Sequence, residues 1–414
     1  MARQLGRFIA CWGNGQHGRL GHGAHEASEA FPRVVAALAG HRATRVACGG
    51  AHTAAVMEDG SLWSWGLNSH GQIGHSGDLK QCGDPIEVIL PDRISDVAAG
   101  EAHTLAVSAS GEVWAAGCNS DAQLGLGEDY GAKNAEFRLV RGLRGRTVTQ
   151  VAAGQEHSLA LGAGGEVWAW GHGAYGQLGL GPGLTRWVVQ PRRVEALVGV
   201  RVVAIAAGAF HSAAVDADGR AWAWGRGEDW QLGTGLSTHE CLPQQLPTLK
   251  SAQQLALGFG YSLAVCSHGR VASWGTDDSG CLGQGLKWPR PPCPTPVGVR
   301  VRLASAAAGW RHCAGVDDDG RLHTWGWGGA VGAGGFANPS ADLGAGQLGH
   351  GDDRDAHEPR QVLRLRLGRT AFRDLRQSVG PGGGLWRALA ASCGRNHSAA
   401  VVEVEAAAGE LGEG

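Results

Sequence analysis

One spacing, repeated along the chain, restricts what this sequence can fold into. Aligned on a Gly-x-x-His step, the copies place His52, His103, His157, His211, Tyr261 (where histidine would fall), His312 and His397 in register, with gaps of 51, 54, 54, 50, 51 and 85 residues. A period near 50 belongs to solenoids, propellers and arrays, in which each unit buries its apolar surface against its neighbours. Inside the unit the spacing is stricter. The turn glycine (Gly60, Gly111, Gly165, Gly219, Gly269, Gly320) lies 8 residues after the His position, and the residue before the next glycine (Trp65, Ala116, Trp170, Trp224, Trp274, Trp325) lies 5 further on.

Constant length across an Asp-Gly or Gly-Gly pair flanked by alternating apolar residues is what a β-hairpin of locked register requires, because a one-residue slip turns every side chain to the wrong face. Thr53 to Val56, the turn Asp59-Gly60, then Leu62 to Trp65 is one such hairpin. Pairs such as Trp63/Trp65, Trp168/Trp170 and Trp222/Trp224 sit two apart on a strand, so both rings of a pair face one side, the expected blade-to-blade contact. Each hairpin follows a strand of small residues, such as Val97 to Gly100, suited to the crowded position nearest a central channel. After the Trp-Gly-x(6)-Leu-Gly segment comes a strand often opened by proline (Pro32, Pro85, Pro191, Pro243, Pro359), which lacks a ladder donor and therefore belongs at the outer sheet edge.

The chain ends hold complementary halves of one unit. Arg7 to Gly21 has the Trp-Gly strand without a preceding Gly-x-x-His, and Ala388 to Val402 has Gly394 and His397 without a following Trp-Gly strand. Joined, they complete a seventh unit and remove free sheet edges. The expected fold is all-β, a closed seven-bladed β-propeller with four-stranded blades, in which Phe8 to Trp12 pairs with His397 to Val402. Residues 1–402 are expected to form this single domain, with 403–414 as a short flexible tail. The last internal unit carries a Gly-rich insertion at about 328–346, expected as a surface loop, and an Arg-rich insertion at about 351–386.

With these motifs in view, the chain resembles the regulator-of-chromosome-condensation family, the RCC1-type repeats, over nearly its whole length. The resemblance implies a seven-bladed propeller with terminal strand closure. The segment Gly309-Trp310-Arg311-His312-Cys313 is also similar to the Gly-Trp-Arg-His-Thr motif that three successive blades carry in plant UV-B receptors of this repeat class. Here the flanking blades read Gly258-Phe259-Gly260-Tyr261 and Gly394-Arg395-Asn396-His397, so one motif of three is present.

Function is read from what remains after the scaffold is accounted for. The chain lacks Gly-x(4)-Gly-Lys-(Ser/Thr), His-Glu-x-x-His and Gly-x-Ser-x-Gly, and no enzyme, cofactor or metal is expected. The repeated histidines lie on different blades and cannot converge on one ion; a hydrogen bond from imidazole to backbone is expected instead. A net charge of −2 gives no electrostatic footprint for nucleic acid or chromatin, and no apolar run approaches a membrane span. Ten cysteines without Cys-x-x-Cys spacing read as reduced thiols of an intracellular protein, cytoplasmic or nuclear, with Cys11, Cys48, Cys266, Cys313 and Cys393 in its core. Of 16 tryptophans, ten occupy the second hairpin strand, whereas Trp187, Trp230, Trp288, Trp310, Trp327 and Trp386 do not. Trp230, Trp310, Arg311, Trp327, and Arg364 and Arg366 from the Leu363 to Leu367 alternation, form the candidate partner surface. The expected role is a non-enzymatic scaffold or regulator that binds a protein partner. The resemblance implies one alternative, nucleotide exchange on a small Ras-like GTPase, and the partial motif a second, UV-B photoreception.

Overall fold

The structure, a computed structural model, describes residues 4–411 apart from 24–26, 78, 184–185, 286–290, 299–300, 330–345, 369–370, 375–385 and 407. Its strands form six four-stranded sheets and one six-stranded sheet, arranged as the blades of a propeller. Blade 1 runs outward from Ala43–Cys48 through His52–Met57 and Leu62–Leu67 to Gln81–Val88. Blades 2 to 6 repeat this order from Ile94–Ala99, Val148–Ala153, Val202–Ala207, Ala252–Leu257 and Leu303–Ala308. The hairpin register is the one the spacing dictates: His52 faces Gly66 and Thr53 faces Trp65 in blade 1, and His211 faces Gly225 and Ser212 faces Trp224 in blade 4.

Blade 7 closes the ring. Gln4–Gly13 pairs antiparallel with His397–Ala406 over ten residues, with Phe8 opposite Val402 and Trp12 opposite Ser398. The pairing expected for Phe8 to Trp12 is therefore present, and it extends further. His397–Ala406 continues past Val402, Glu403 is buried between Arg7 (2.8 Å) and Arg387 (2.7 Å), and Ala408–Leu411 forms a helical turn. Residues 403–406 are thus a strand and not a tail, because two guanidinium groups neutralise the carboxylate that enters the sheet. The hydrogen bond from Arg7 holds the Glu403 carboxyl below its usual range.

A second correction concerns Pro32. Its strand, Glu29–Val34, is not outermost: Arg364–Arg366 lies beside it in parallel, followed by Phe372–Asp374. A single parallel bridge, Arg33 to Arg366, makes the join, so the missing proline donor costs the ladder nothing. The Gly-rich insertion and residues 375–385 of the Arg-rich insertion fall outside the described residues.

Each blade is fastened to the next by a buried relay. The histidine Nε2 of one blade meets a hydroxyl of the following blade: His52 with Thr104 (2.8 Å), His103 with Ser158 (3.0 Å), His157 with Ser212 (2.9 Å), His211 with Ser262 (2.9 Å) and His312 with Ser398 (2.9 Å). His397 with Thr53 (2.9 Å) carries the relay across the chain ends. Every one of these hydroxyls donates its proton to a backbone carbonyl, for example Ser158 to Gln123 and Ser212 to Gln177 at 2.7 Å, so the imidazole must be the donor and the Nε2–H tautomer is fixed. The same carbonyl accepts the indole N–H of the sealed tryptophan, as in Trp170 to Gln123 and Trp224 to Gln177, both 2.9 Å. In blade 5 Tyr261 replaces histidine, and its hydroxyl reaches the Gly309 and His312 carbonyls at 3.0 and 2.9 Å. The bond expected from imidazole to backbone is therefore a bond to the neighbouring blade's side chain. The step glycine leaves room for the ring: a Cβ on Gly100 would overlap His103 and the Gly154 carbonyl.

All ten cysteines are free thiols, and Cys11, Cys48, Cys266, Cys313 and Cys393 are buried. Among the described residues no helix is long and apolar enough to cross a membrane.

Two predictions follow from this frame. Deleting residues 1–14 removes buried Ile9, Cys11 and Trp12 together with the closing strand. The thermal midpoint, read by circular dichroism, is expected to fall on the order of 10 °C. The second concerns pH. Burial holds His103, His157 and His211 down to about 3 and His52 and His312 to about 4, against about 6.5 in the unfolded chain. Below that value the unfolded chain takes up protons that the folded chain refuses. Stability is therefore full above about pH 7 and declines as pH falls, with a slope on the order of 1.4 kcal/mol per pH unit for each histidine. Thermal midpoints between pH 8 and 4.5 check this, and His103→Asn should flatten the curve.

Candidate interaction face at the channel mouth

The Gly-x-x-His steps of all seven blades converge around the central channel. Their residues, including Gly50, Glu101, Gln155, Ala209, Gly258, Trp310 and Arg395, line a narrow cavity of about 70 Å³. Backbone bonds from blade to blade fix the rim: Gly50 N to Gly100 O (3.1 Å), Ala209 N to Gly258 O (3.1 Å) and Arg395 N to Gly49 O (3.2 Å). Within each step, glycine and histidine are committed to the frame, and the two residues between them differ from blade to blade. They build the face.

From blade 3 to blade 7 these positions, joined by a loop tyrosine, form an aromatic arc. Tyr175 packs edge-on against Phe210 (5.3 Å between ring centres) and Phe210 edge-on against Phe259 (6.0 Å), while Phe259 meets Trp310 at a tilt (5.0 Å). Trp310 is covered by the Arg395 guanidinium at 3.8 Å, which also pairs with Glu101 at 2.9 Å. All four rings are half-buried, which keeps one face in solvent while neighbours hold the other. Edge-to-face pairs of this kind are rigid, so little side-chain freedom remains to be lost on binding.

At the Tyr175 end the arc meets charge. His172 lies 6.3 Å from Tyr175 by ring centres, with its Nδ1 3.6 Å from a Glu156 oxygen, and His239 lies 5.3 Å from Tyr175 and 3.7 Å from Glu228. Asp121, Glu156 and His172 place one donor atom each within 4.8 Å of one another. The Asp121 carboxylate is held by the Trp187 indole at 3.0 Å. Burial, then the Asp121 charge, raise the Glu156 carboxyl above its ordinary value. Arg226 pairs with Glu228 and Asp229 beside this group.

The sequence-predicted site residues divide. Trp310 is in the arc and Arg311 follows it in the same step. Trp327 enters the loop beside them through its backbone N–H to Arg311 O at 2.8 Å. Trp230 occupies the loop of blade 4 in left-handed backbone (φ 57°), and it makes no ring contact with the arc among the described residues. Arg364 and Arg366 lie elsewhere, near the outer edge of blade 7, four strands from its innermost strand. There Arg364 covers Phe372 (4.6 Å) and Phe31 (5.3 Å), and Arg366 binds Glu29 at 2.9 Å. Their alternation is that of a strand packed against the propeller flank. Of the remaining tryptophans outside the hairpins, Trp187 is exposed and Trp386 buried, while Trp288 falls outside the described residues.

Tyr175, Phe210, Phe259, Arg395, Glu101, Asp121, Glu156 and His172 were not singled out as a surface from sequence. For most of them the signal was present as the variable pair inside an otherwise invariant step.

A family profile described as the RCC1-like domain matches residues 8–403. The chain belongs to that family. This RCC1-like chain is 31% identical over 334 residues to the ultraviolet-B receptor UVR8 of Arabidopsis thaliana, which covers 80% of the chain and 63% of the receptor. It is 37% identical over 233 residues to the human E3 ubiquitin-protein ligase HERC2, spanning 56% of the chain but 5% of that protein. The chain therefore spans less than two thirds of either relative. Among solved structures, Prp20p of Saccharomyces cerevisiae, reported with its binding properties to Gsp1p and histones, superposes with a TM-score of 0.78 at 25% identity. It covers 98% of this chain and 93% of its own. Human WBSCR16 superposes with a TM-score of 0.77 at 24% identity and shows the same fold.

Only one indole belongs to the arc among the described residues, since Phe210 and Phe259 flank Trp310 where a coupled cluster needs further indoles. UV-B irradiation is expected to leave the oligomeric state unchanged, as checked by size-exclusion chromatography before and after exposure.

Proposed function

We propose that this RCC1-like propeller is a non-enzymatic scaffold that binds a protein partner across its channel-mouth face. The observation that carries the reading is the arc from Tyr175 to Trp310, four half-buried rings in mutual contact with carboxylates at both ends. Rigid aromatics anchor interfaces because they bury large area at low entropic cost, and the flanking Glu101, Asp121 and Glu156 favour a partner that brings basic side chains to the rim. The relationship to Prp20p, whose reported binding properties concern other proteins, agrees with a face built for macromolecules. Phe210→Ala combined with Phe259→Ala is expected to weaken partner capture more than tenfold. The thermal midpoint should stay within about 3 °C, because both rings are half-exposed. Quantitative affinity capture with mass spectrometry checks this, and Arg364→Ala, on the flank, should leave capture unchanged.

One observation favours a second reading, nucleotide exchange on a small Ras-like GTPase: the mouth carries acids and histidines together, in Glu101, Asp121, Glu156, His172 and His239. Under the scaffold reading, release of a fluorescent guanine nucleotide from purified Ras-like GTPases is not accelerated. Acceleration above about tenfold that Glu156→Gln abolishes would replace the scaffold reading with the exchange reading.

A further inference from the structure

A second cavity lies away from the mouth. It measures about 560 Å³ and is lined by Arg146, Glu166, Trp168, Leu180, Arg192, Arg193 and Glu195. Trp168 stands near the start of the Val167–His172 strand, whose far end carries His172, so the cavity and the mouth are separated by most of a strand, roughly 15 Å. Two backbone segments deliver the arginines: the loop before the inner strand of blade 3 supplies Arg146, and the outer strand Trp187–Arg193 supplies the other two.

Comparison of the blades shows what this cavity lacks. In blade 4 the residue five after the step histidine is Asp216, whose carboxylate accepts from the Trp222 indole (3.3 Å) and from Arg220 (2.7 Å). In blade 6 the same position is Asp317, which binds Arg321 and His323. Blade 3 has Gly162 there. Trp168, the counterpart of Trp222, therefore lacks the aspartate to which the Trp222 indole donates. Instead the Arg146 guanidinium lies over its ring at 5.3 Å. Glu166 does not fill the gap, because its carboxylate lies against the turn, within 2.8 Å of where a Cβ on Gly162 or Gly164 would stand. Among the described residues no carboxylate lies within ion-pair distance of Arg146, Arg192 or Arg193.

We infer that this cavity is a binding site for a phosphorylated side chain of a partner peptide. Guanidinium groups from two segments, Arg146 from the loop and Arg192 with Arg193 from the strand, offer several N–H donors to the terminal oxygens of a phosphate monoester dianion, whereas one carboxylate satisfies a single fork. The volume exceeds that of the phosphate group and leaves room for the residue that bears it, with Trp168 and Leu180 as apolar walls. Glu195 at the margin favours a basic neighbour in the peptide. The site does not depend on the mouth face, and its failure would leave that reading intact.

The test uses the full chain immobilised against three degenerate peptide libraries that differ at one fixed position, carrying phosphoserine, serine or glutamate. Retention of the phosphoserine library at least tenfold above both others is expected. Arg146→Ala, Arg192→Ala and Arg193→Ala should each reduce that retention severalfold, and Arg192→Lys less than Arg192→Ala. All three arginines lie outside the sealed core, and unchanged thermal midpoints will separate lost binding from lost folding. Equal retention of the glutamate library, absence of phosphate-dependent retention, or retention unaffected by all three alanine variants would overturn the assignment.

Discussion

The structure depends on a hydrogen-bond relay that lets each blade complete its neighbour. A histidine donates to the next blade's hydroxyl, and that hydroxyl donates to a carbonyl which also receives an indole N–H. Every participant is buried, so an unmade bond would leave a polar group without water to replace it. A unit cut from the ring would lose these partners on both sides. The relay crosses the join between the chain ends through His397 and Thr53, so the break in the chain coincides with no break in the bonding. Blade 5 shows that the requirement is for a donor of the right reach, because Tyr261 meets it from a phenol.

The same economy separates frame from face. In each Gly-x-x-His step glycine admits the ring and histidine makes the bond, and the pair between them lies at the mouth, mostly half-buried. Seven such pairs on a rigid circle give a surface whose chemistry can change without cost to folding. In this RCC1-like chain, blades 4 to 6 spend those positions on Phe210, Phe259 and Trp310, while Glu101 and Glu156 bring acid from blades 2 and 3. Blade flanks offer a second, independent surface. There Gly162 stands where blades 4 and 6 carry an ion-pairing aspartate, and three arginines and two glutamates line the flank cavity.

Much of this architecture was legible in the chain. The fixed distances of 8 and 5 residues determine hairpin register, since strands tolerate no slip, and the two half-repeats determine closure. Of the ten tryptophans on the hairpin's second strand, read as core from their spacing, Trp12, Trp65, Trp170, Trp224, Trp274 and Trp325 are buried, whereas Trp63, Trp114, Trp168 and Trp222 are half-buried. The sequence alone left open which partner each repeated histidine meets, because Ser158 and Ser212 lie in the same step one unit on and could as well have served their own strand. It also treated Arg364 and Arg366 as companions of Trp310, whereas the sheet order puts them at the far edge of blade 7.

What the sequence by itself determined is thus the repeating unit, its register and the closed ring, all consequences of local periodicity and constant length. What only the tertiary structure decided is which of the variable residues become neighbours. Tyr175, Phe210, Phe259 and Trp310 are separated by 35 to 51 residues in the chain and touch because successive blades place equivalent loops side by side. Glu101 and Arg395 lie 294 residues apart and form one ion pair because the ring returns to its start. Contacts of that kind are set by the angle between blades and the closure of the circle, properties no single unit contains.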